Sequence, residues 1–302
     1  DGAVLVVAAN EECPQPQTKE HLTALKIVGV RNIVVAQNKV ELVPREKAIE
    51  NYMQIRRFLD EMGYHDAPIV PVSAVHRANI DKLIEMIEKH IPTPRRDLNK
   101  PPLMFVARSF DVNRPGTRPE NLVGGVAGGS LLQGRLRIGD EISIAPGIQV
   151  TKGGKTRWQQ LETTVRSLHA MGEPLEEARP GGLIGVGTGL DPSLTKADAL
   201  VGSVLGLRGN VPESTDKIEF EVRLLERVVG LAKELEVKPL SVNEPVMVNI
   251  GTATRGGIVT HIAGERVTVA LRYPVCAERG WRIALSRRIM NKWRLIGYGV
   301  IV

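Results

Sequence analysis

Two short polar clusters in the first third of the chain hold residue types that can read a purine base. Asn38, Lys39 and Glu41 lie in "QNKVELV", immediately after the apolar run 33–36. Ser73, Ala74 and Val75 follow "PIVPV". Guanine offers O6 and N7 as acceptors, with N1–H and the 2-amino group as an adjacent pair of donors. A carboxylate such as Glu41 accepts both donors side by side, a geometry that adenine, lacking the 2-amino group, cannot match. Asn38 can serve the N7 edge and brace the neighbouring loop, and Lys39 can lay its aliphatic stem over the purine face. A backbone N–H of the Ser73–Ala74 turn can donate to O6. Either cluster alone is a weak signal, because polar residues are expected wherever a strand ends. Their order, their strand context and their separation by one helix make the pair stronger than either.

Other clusters carry less. "TKGGKTRWQQ" contains Gly154-Lys155-Thr156, which looks like the end of a phosphate loop, but Gln149 stands where G-x-x-x-x-G-K-[ST] requires its first glycine. The stretch also lies between β segments, so it reads as a Gly-rich hairpin loop with Lys152, Lys155 and Arg157 exposed. "VGGVAGGS" (123–130) is followed by no helix, so no helix N-terminus is available to a phosphate. Glycines in barrel strands usually mark bulges and bends. The six histidines are scattered, without the i, i+4 pairing of a helical metal site. Asp111, Arg114 and Arg118 make "SFDVNRPGTRPEN" a charged loop, a candidate docking loop for a partner. Towards the carboxyl end Arg272, Arg279, Arg282, Arg287, Arg288, Lys292 and Arg294 face only Glu278, with Trp281 and Trp293 interleaved. That imbalance fits phosphate contacts, and it equally fits a solvated barrel face with a tryptophan in the core.

The elements that must carry these residues follow from periodicity. A chain of 302 residues exceeds what one core usually holds. The segment 3–9 is a nearly unbroken apolar run, as expected of a strand covered on both faces. Residues 18–29 read as a helix with Leu22, Leu25 and Val28 on one side. After the strand 33–36, Ala48, Tyr52, Ile55, Phe58, Leu59 and Met62 recur at helical spacing, and Gly63 supplies the stop. A third strand spans 68–72. Asn79 is then expected to cap a helix with Ile80, Leu83, Ile84, Ile87 and Ile91 on one face. Such alternation means a parallel sheet with right-handed crossovers, whose ligands bind at the carboxyl ends of the strands. "IPTPRRDLNKPP" is a Pro-rich extended spacer. After it, short β-branched runs alternate with Gly turns, the texture of small closed barrels, and "KIEFEVRLLERVV" opens a second β region. The best boundary between the two lies at 209–215. The start, "DGAVLVVAANE", enters directly with a strand and no initiator Met, which suggests a fragment.

Composition excludes several classes. Hydrophobic residues make up 42% and charged residues 25%, ordinary for a soluble globular protein. No apolar run is long enough to span a bilayer, and no signal-peptide pattern is present. Cys13 and Cys276 form no C-x-x-C pair, so neither a zinc site nor a disulfide framework is indicated, which fits a reducing cytosol. The net charge of +6 permits contact with nucleic acid without demanding it.

N-K-x-[DE] followed by S-A-x resembles the base-recognition half of the GTPase fold. An α/β region, a Pro-rich linker and two barrels resemble the layout of translational GTPases such as elongation factor Tu. "ANEECPQPQTKEHL", "QNKVELV", "PVSAVHRANIDKL", "RSFDVNRPGT", "GGVAGGSLLQGRLRIGDEISIAPG" and "KADALVGSVLG" are together similar to the gamma subunits of archaeal and eukaryotic translation initiation factor two, throughout the chain. Glu41 departs from the usual Asp of the general motif but is similar to that family's own "QNKxE". The resemblance implies an α/β partial GTPase domain, a parallel sheet with helices, followed by two all-β barrel domains. The divisions expected are 1–93 for the GTPase part, 94–102 for the linker, 103–212 for the first barrel and 213–302 for the second. It places residue 1 after the second switch, so that the phosphate loop, switch Thr and D-x-x-G turn would all lie earlier and this chain would not hydrolyse GTP alone. In the intact protein it implies GTP or GDP with Mg2+, GTP hydrolysis and a cytoplasmic location. Its partners would be methionylated initiator tRNA, the alpha and beta subunits of the same factor and the small ribosomal subunit, with no membrane. The base site would be Asn38, Lys39, Glu41, Ser73, Ala74 and Val75. Candidate contacts to tRNA or partners are Asp111, Arg114, Arg118, Gly124, Gly125, Arg279, Arg282, Arg287 and Arg288, since the first barrel of this family receives the aminoacyl end of tRNA. A general or selenocysteine-specific elongation factor, or a non-catalytic RNA- or protein-binding scaffold, are the alternatives.

Overall fold

A computed structural model describes residues 1–228 and 235–302 and, at Lys152 and Lys155, the backbone alone. It holds two compact units. The first is built on residues 1–95 and the second on the two barrels.

In the first unit β1 (Gly2–Ala8), β2 (Asn32–Asn38) and β3 (Ile69–Pro71) form a parallel sheet in that order. Between them run α1 (Pro16–Val28) and α2 (Arg45–Met62), and α3 (Ile80–His90) follows β3. Helices α1 and α2 cover one face, burying Leu22, Ile55 and Leu59 against Leu5, Val7, Ile33, Val35 and Ile69. Helix α3 covers the other with Ile80, Leu83, Met86, Ile87 and Ile91 over Val34, Ala36, Val70 and Val72. Gly29 and Gly63 end α1 and α2 in the left-handed region, where a glycine carries no Cβ penalty.

Four expectations for this unit are corrected. Strand β1 is covered on one face only: Val4 and Val6 stay 40% and 61% exposed, because α3 lies over β2 and β3 and leaves the edge strand bare. Val28 and Ile84, placed by periodicity on the buried stripes, are exposed, and Met86 takes the position expected of Ile84. Asn79 does not cap α3 with its side chain. It sits in the left-handed region at φ 57° and donates through Nδ2 to Pro71 O at 2.9 Å.

The first barrel comprises β4 (Leu103–Phe110), β5 (Val126–Gln133), β6 (Leu136–Arg137), β7 (Glu141–Lys152), β8 (Lys155–Ala170), β9 (Glu173–Leu175), β10 (Glu177–Ala178), β11 (Leu183–Thr188) and β12 (Val204–Leu207). The main sheet runs β11-β5-β4-β12-β7-β8-β9, and β11 pairs back on β8 to close it. The core is aliphatic, with Met104, Val106, Ile142, Ile144, Leu168 and Leu205 fully buried. The glycines of "TKGGKTRWQQ" form a two-residue turn joining β7 to β8, Gly153 and Gly154 both at positive φ, as a tight antiparallel hairpin requires. The side chains of Lys152 and Lys155 lie outside the described residues. The linker is more than a spacer, since the Gly134 N–H donates to Asp97 O and Gln133 Nε2 to Pro101 O.

The second barrel is a closed ring of six antiparallel strands, β13 (Ser214–Leu224), β14 (Pro245–Ile250), β15 (Ala253–Ala263), β16 (Arg266–Cys276), β17 (Arg282–Ile289) and β18 (Lys292–Ile301), in the order β13-β16-β15-β14-β17-β18. Residue 229, the last of the β stretch read from the sequence, lies outside the described residues. The two barrels meet through apolar contact. Trp281 sets its edge on Phe105 with ring centroids 5.0 Å apart, and Cys276 joins Leu103, Ala145 and Val204 in one cluster. At the β14–β15 turn the chain passes Phe105 so closely that a Cβ on Gly251 would stand 2.9 Å from the ring. Thr252 Oγ1 donates to Val106 O at 2.7 Å.

Candidate guanine-base site

The sheet of the first unit ends its strands side by side, so parallel register brings the two polar clusters together. Gln37 of β2 lies opposite Pro71 of β3, and the Val72 N–H donates to Gln37 O at 2.8 Å. Beyond that point both chains leave the sheet. Lys39 adopts φ 63°, rare for a residue with a Cβ, and turns the chain into a short 3-10 segment, Val40–Leu42. The Val40 N–H returns to Val72 O at 3.4 Å. After β3, Ser73 and Ala78 exchange both backbone hydrogen bonds, which closes a tight loop carrying Ala74 and Val75.

Side chains lock the two loops to each other. Asn38 Oδ1 accepts from the Ala74 N–H at 3.1 Å. The hydroxyl of the buried Ser73 accepts from the His76 N–H at 3.3 Å and lies beside Glu41, whose ionised form it favours. The Ser73 hydrogen bond first, then the residue's own backbone N–H and the nearby His76 and Lys39 charges, hold the Glu41 carboxyl below its ordinary value. Glu41 is therefore ionised at neutral pH, the state that accepts two N–H donors. Lys39, Glu41, Ala74 and Val75 are exposed around it. Of the roles open to Asn38, the structure displays the bracing one. The Ala74 N–H is already occupied by Asn38, so donation to a guanine O6 requires that bond to be exchanged or shared.

A second network supports the site and was missed by motif reading. Gln37, buried at the end of β2, donates to Ala48 O at 2.7 Å and to Asn51 Oδ1 at 2.9 Å. Asn51 Nδ2 donates to Glu11 O at 2.7 Å. This chain of amides ties β2 to α2 and to the loop after β1, which forms the other side of an open cleft reaching Asn38 and Lys39. The signal was present: Asn51 shares the buried face of α2 with Ile55 and Phe58, and a polar residue on such a stripe needs a partner.

The remaining candidates disperse. Gly125 is buried, and a Cβ there would strike Thr195; one on Gly124 would strike Thr188 O. Close packing therefore accounts for both glycines. Asp111 Oδ1 accepts from the Asn113 N–H and Nδ2, which lowers its pKa, and Asn113 clamps the far side of the loop through both Val123 backbone groups. Arg114 and Arg118 are both exposed, Arg118 4.0 Å from Glu120. Arg279, Arg282 and Arg288 are exposed. Arg287 is not: its guanidinium is paired with both oxygens of Glu244 and donates to Lys238 O and Pro239 O at 2.9 and 3.0 Å. It is a strut inside the second barrel, and the sequence reading missed its partner because Glu244 lies 43 residues away.

A three-stranded parallel sheet with two polar loops at its carboxyl edge, followed by two six-stranded barrels, defines the architecture of a translational GTPase. Family comparison agrees segment by segment. The elongation factor Tu GTP binding domain matches residues 1–93, elongation factor Tu domain 2 residues 124–206, and the C-terminal region of initiation factor eIF2 gamma residues 216–301. Translation initiation factor 2 subunit gamma of Methanothermobacter thermautotrophicus is 56% identical over 301 residues, covering 100% of this chain and 74% of that protein. The proteins of the same name from Pyrococcus horikoshii and Archaeoglobus fulgidus are also 56% identical, with 73% and 70% of their lengths covered. The chain belongs to the translation initiation factor 2 gamma subunit family, a family of GTP-binding proteins of translation initiation. Among solved structures, translation elongation factor SelB of Methanococcus maripaludis shares the fold with a TM-score of 0.77 at 22% identity; this chain spans 65% of its length. Among the described residues no helix is long and apolar enough to cross a membrane.

Proposed function

We propose that the loops ending β2 and β3 bind the guanine base of GTP and GDP, and that the intact protein is a GTPase carrying methionylated initiator tRNA to the small ribosomal subunit. The observation that carries this reading is the ionised Glu41 carboxylate beside Ser73, on the loop that leaves β2. Lys39 and Asn38 flank it, and nothing in that set favours adenine. The carboxylate supplies base specificity; the phosphates and Mg2+ would be held by other parts of the intact protein. Partnership with alpha and beta subunits and a cytoplasmic location are part of this reading, supported by membership of the family rather than by the geometry. Within this reading the domains divide at 1–93, 103–212 and 213–302. Asp111, Arg114, Arg118, Arg279, Arg282 and Arg288 remain candidate tRNA or partner contacts. Physically, delivery of tRNA is a ligand-dependent choice between two domain arrangements, with GTP favouring one through contacts that GDP lacks.

The test is binding of fluorescent GDP to the intact parent protein and to Glu41→Lys, with ADP as competitor. The parent should prefer guanine, and Glu41→Lys should lose that preference. Equal binding of adenine and guanine nucleotides by the parent, or binding of neither, would refute the reading.

A further inference from the structure

The junction of the two barrels carries an aromatic and cationic surface that the guanine site does not use. Trp158 on β8 and Tyr273 on β16 meet across the junction, ring centroids 5.8 Å apart and inclined by 62°. The Arg272 guanidinium sits 5.5 Å from the centre of the Tyr273 ring and is exposed to solvent. Tyr273 itself keeps 37% of its surface exposed. Arg157 stands next to Trp158 on β8 and is exposed. Arg255 on β15 is half-buried, close to Gly202, and its Nε has no hydrogen-bond partner. Its charge lies close enough to Tyr273 for the two to interact.

These arginines combine a lack of counter-charge with a place beside two aromatic rings. Arg208 pairs with Glu141 and Glu162, Arg266 with Glu221, Arg287 with Glu244, and three arginines share Glu177. Among the described residues, Arg157, Arg255 and Arg272 pair with no carboxylate. A surface arginine needs no partner, but three of them around two partly exposed rings combine the two features that bind single-stranded nucleic acid. Aromatic and guanidinium planes stack unpaired bases, and fixed cations follow the phosphates.

We propose that Trp158, Tyr273 and Arg272, flanked by Arg157 and Arg255, form a platform for unpaired nucleotides of a single-stranded RNA. A base stacks beside the Arg272 guanidinium, which lies over the Tyr273 ring that Trp158 meets edge-on, while Arg157 and Arg255 engage the adjoining phosphates. Duplex RNA offers phosphates but no free base faces, and an acidic peptide offers charge but nothing to stack. The platform is independent of the guanine site and stands or falls separately from it.

Fluorescence anisotropy of a labelled short oligouridylate, titrated with the full chain at several salt concentrations, tests this. Duplex RNA of equal length and polyglutamate serve as competitors. The single strand should bind more tightly than either competitor. Tyr273→Leu should weaken its binding about tenfold, and Tyr273→Phe should retain it. Arg272→Gln, a change at an exposed side chain that leaves the fold intact, should flatten the salt dependence by about 0.7 in log–log slope. Equal affinity for duplex RNA, competition by polyglutamate as strong as by the single strand, or unchanged oligouridylate binding in both Arg272→Gln and Tyr273→Leu would overturn the proposal.

Discussion

Replacing Arg287 by methionine separates a barrel strut from an RNA contact. In the structure the guanidinium serves both Glu244 oxygens and two backbone carbonyls, and the two side chains are only 17% and 16% exposed. Methionine fills much of the same volume but leaves the Glu244 carboxylate without its counter-charge. Removing one partner of a fully buried ion pair costs about 3–5 kcal/mol. Residual solvent screening at this site reduces that to about 2–4 kcal/mol. A domain of this size loses about 2–4 °C in Tm per kcal/mol, so the melting midpoint should fall by about 5–15 °C. Adding Glu244→Gln removes the stranded charge and keeps an acceptor for the Ser241 N–H, which now bonds Glu244 Oε2 at 3.0 Å. The double variant should recover more than half of the loss. Thermal unfolding followed by tryptophan fluorescence gives the midpoints, and RNA binding is measured on the same folded samples at 20 °C below the lower midpoint. An unchanged midpoint in Arg287→Met, accompanied by weaker RNA binding, would refute the strut and return Arg287 to the contact surface.

Two further outcomes follow from the first unit. Asn51→Leu leaves one of the two Gln37 Nε2 hydrogens and the Glu11 carbonyl without their partner, and should destabilise the protein by about 1–3 kcal/mol; urea unfolding gives the value, and hydrogen exchange should quicken in residues 9–15. The Glu41 pKa is depressed, so the contact with Ser73 is complete above the ordinary glutamate value of 4.5 and is lost as pH falls through the folded value. Guanine affinity of the intact protein should therefore stay flat from neutral pH to about pH 5 and fall only below it, whereas a decline centred near neutral pH would show that the Glu41 carboxylate does not set the dependence.

Helix α2 was legible in the sequence because its buried face is a dense stripe and Gly63 supplies a stop whose physics is local. That the two polar loops meet was legible for a related reason, since both sit where strands end and parallel register must place them side by side. What the sequence could not convey is coverage. Periodicity ranks the faces of β1, but whether anything lies over Val4 and Val6 depends on where α3 packs, a fact of topology and not of residues 3–9. Long-range pairing is equally opaque. Arg287 belongs to a visibly basic run, and only the fold brings Glu244 to it. In the same way, Trp158 and Tyr273 are more than a hundred positions apart in sequence, and only closure of two barrels makes them neighbours.

Glu41 shows how these levels combine at the site. A glutamate in place of the commoner aspartate puts the carboxylate one methylene further from the backbone, a displacement that would blur a base-reading geometry if the side chain were left free. It is not left free. Ser73 is the largest influence favouring its ionised form, and Ser73 is itself fixed by two backbone bonds to Ala78. Asn38 clamps the next residue of that loop. The extra reach is thus spent across the gap between strand ends, so that the β2 loop's carboxylate is positioned by the β3 loop. Both loops inherit their separation from the Val72–Gln37 bond and from the buried Gln37–Asn51 pair. Shortening the side chain with Glu41→Asp should then weaken guanine discrimination even though it restores the commoner motif, because the carboxylate would stand further from Ser73 and the β3 loop. That inversion distinguishes a site set by its supporting contacts from one set by its four-residue signature.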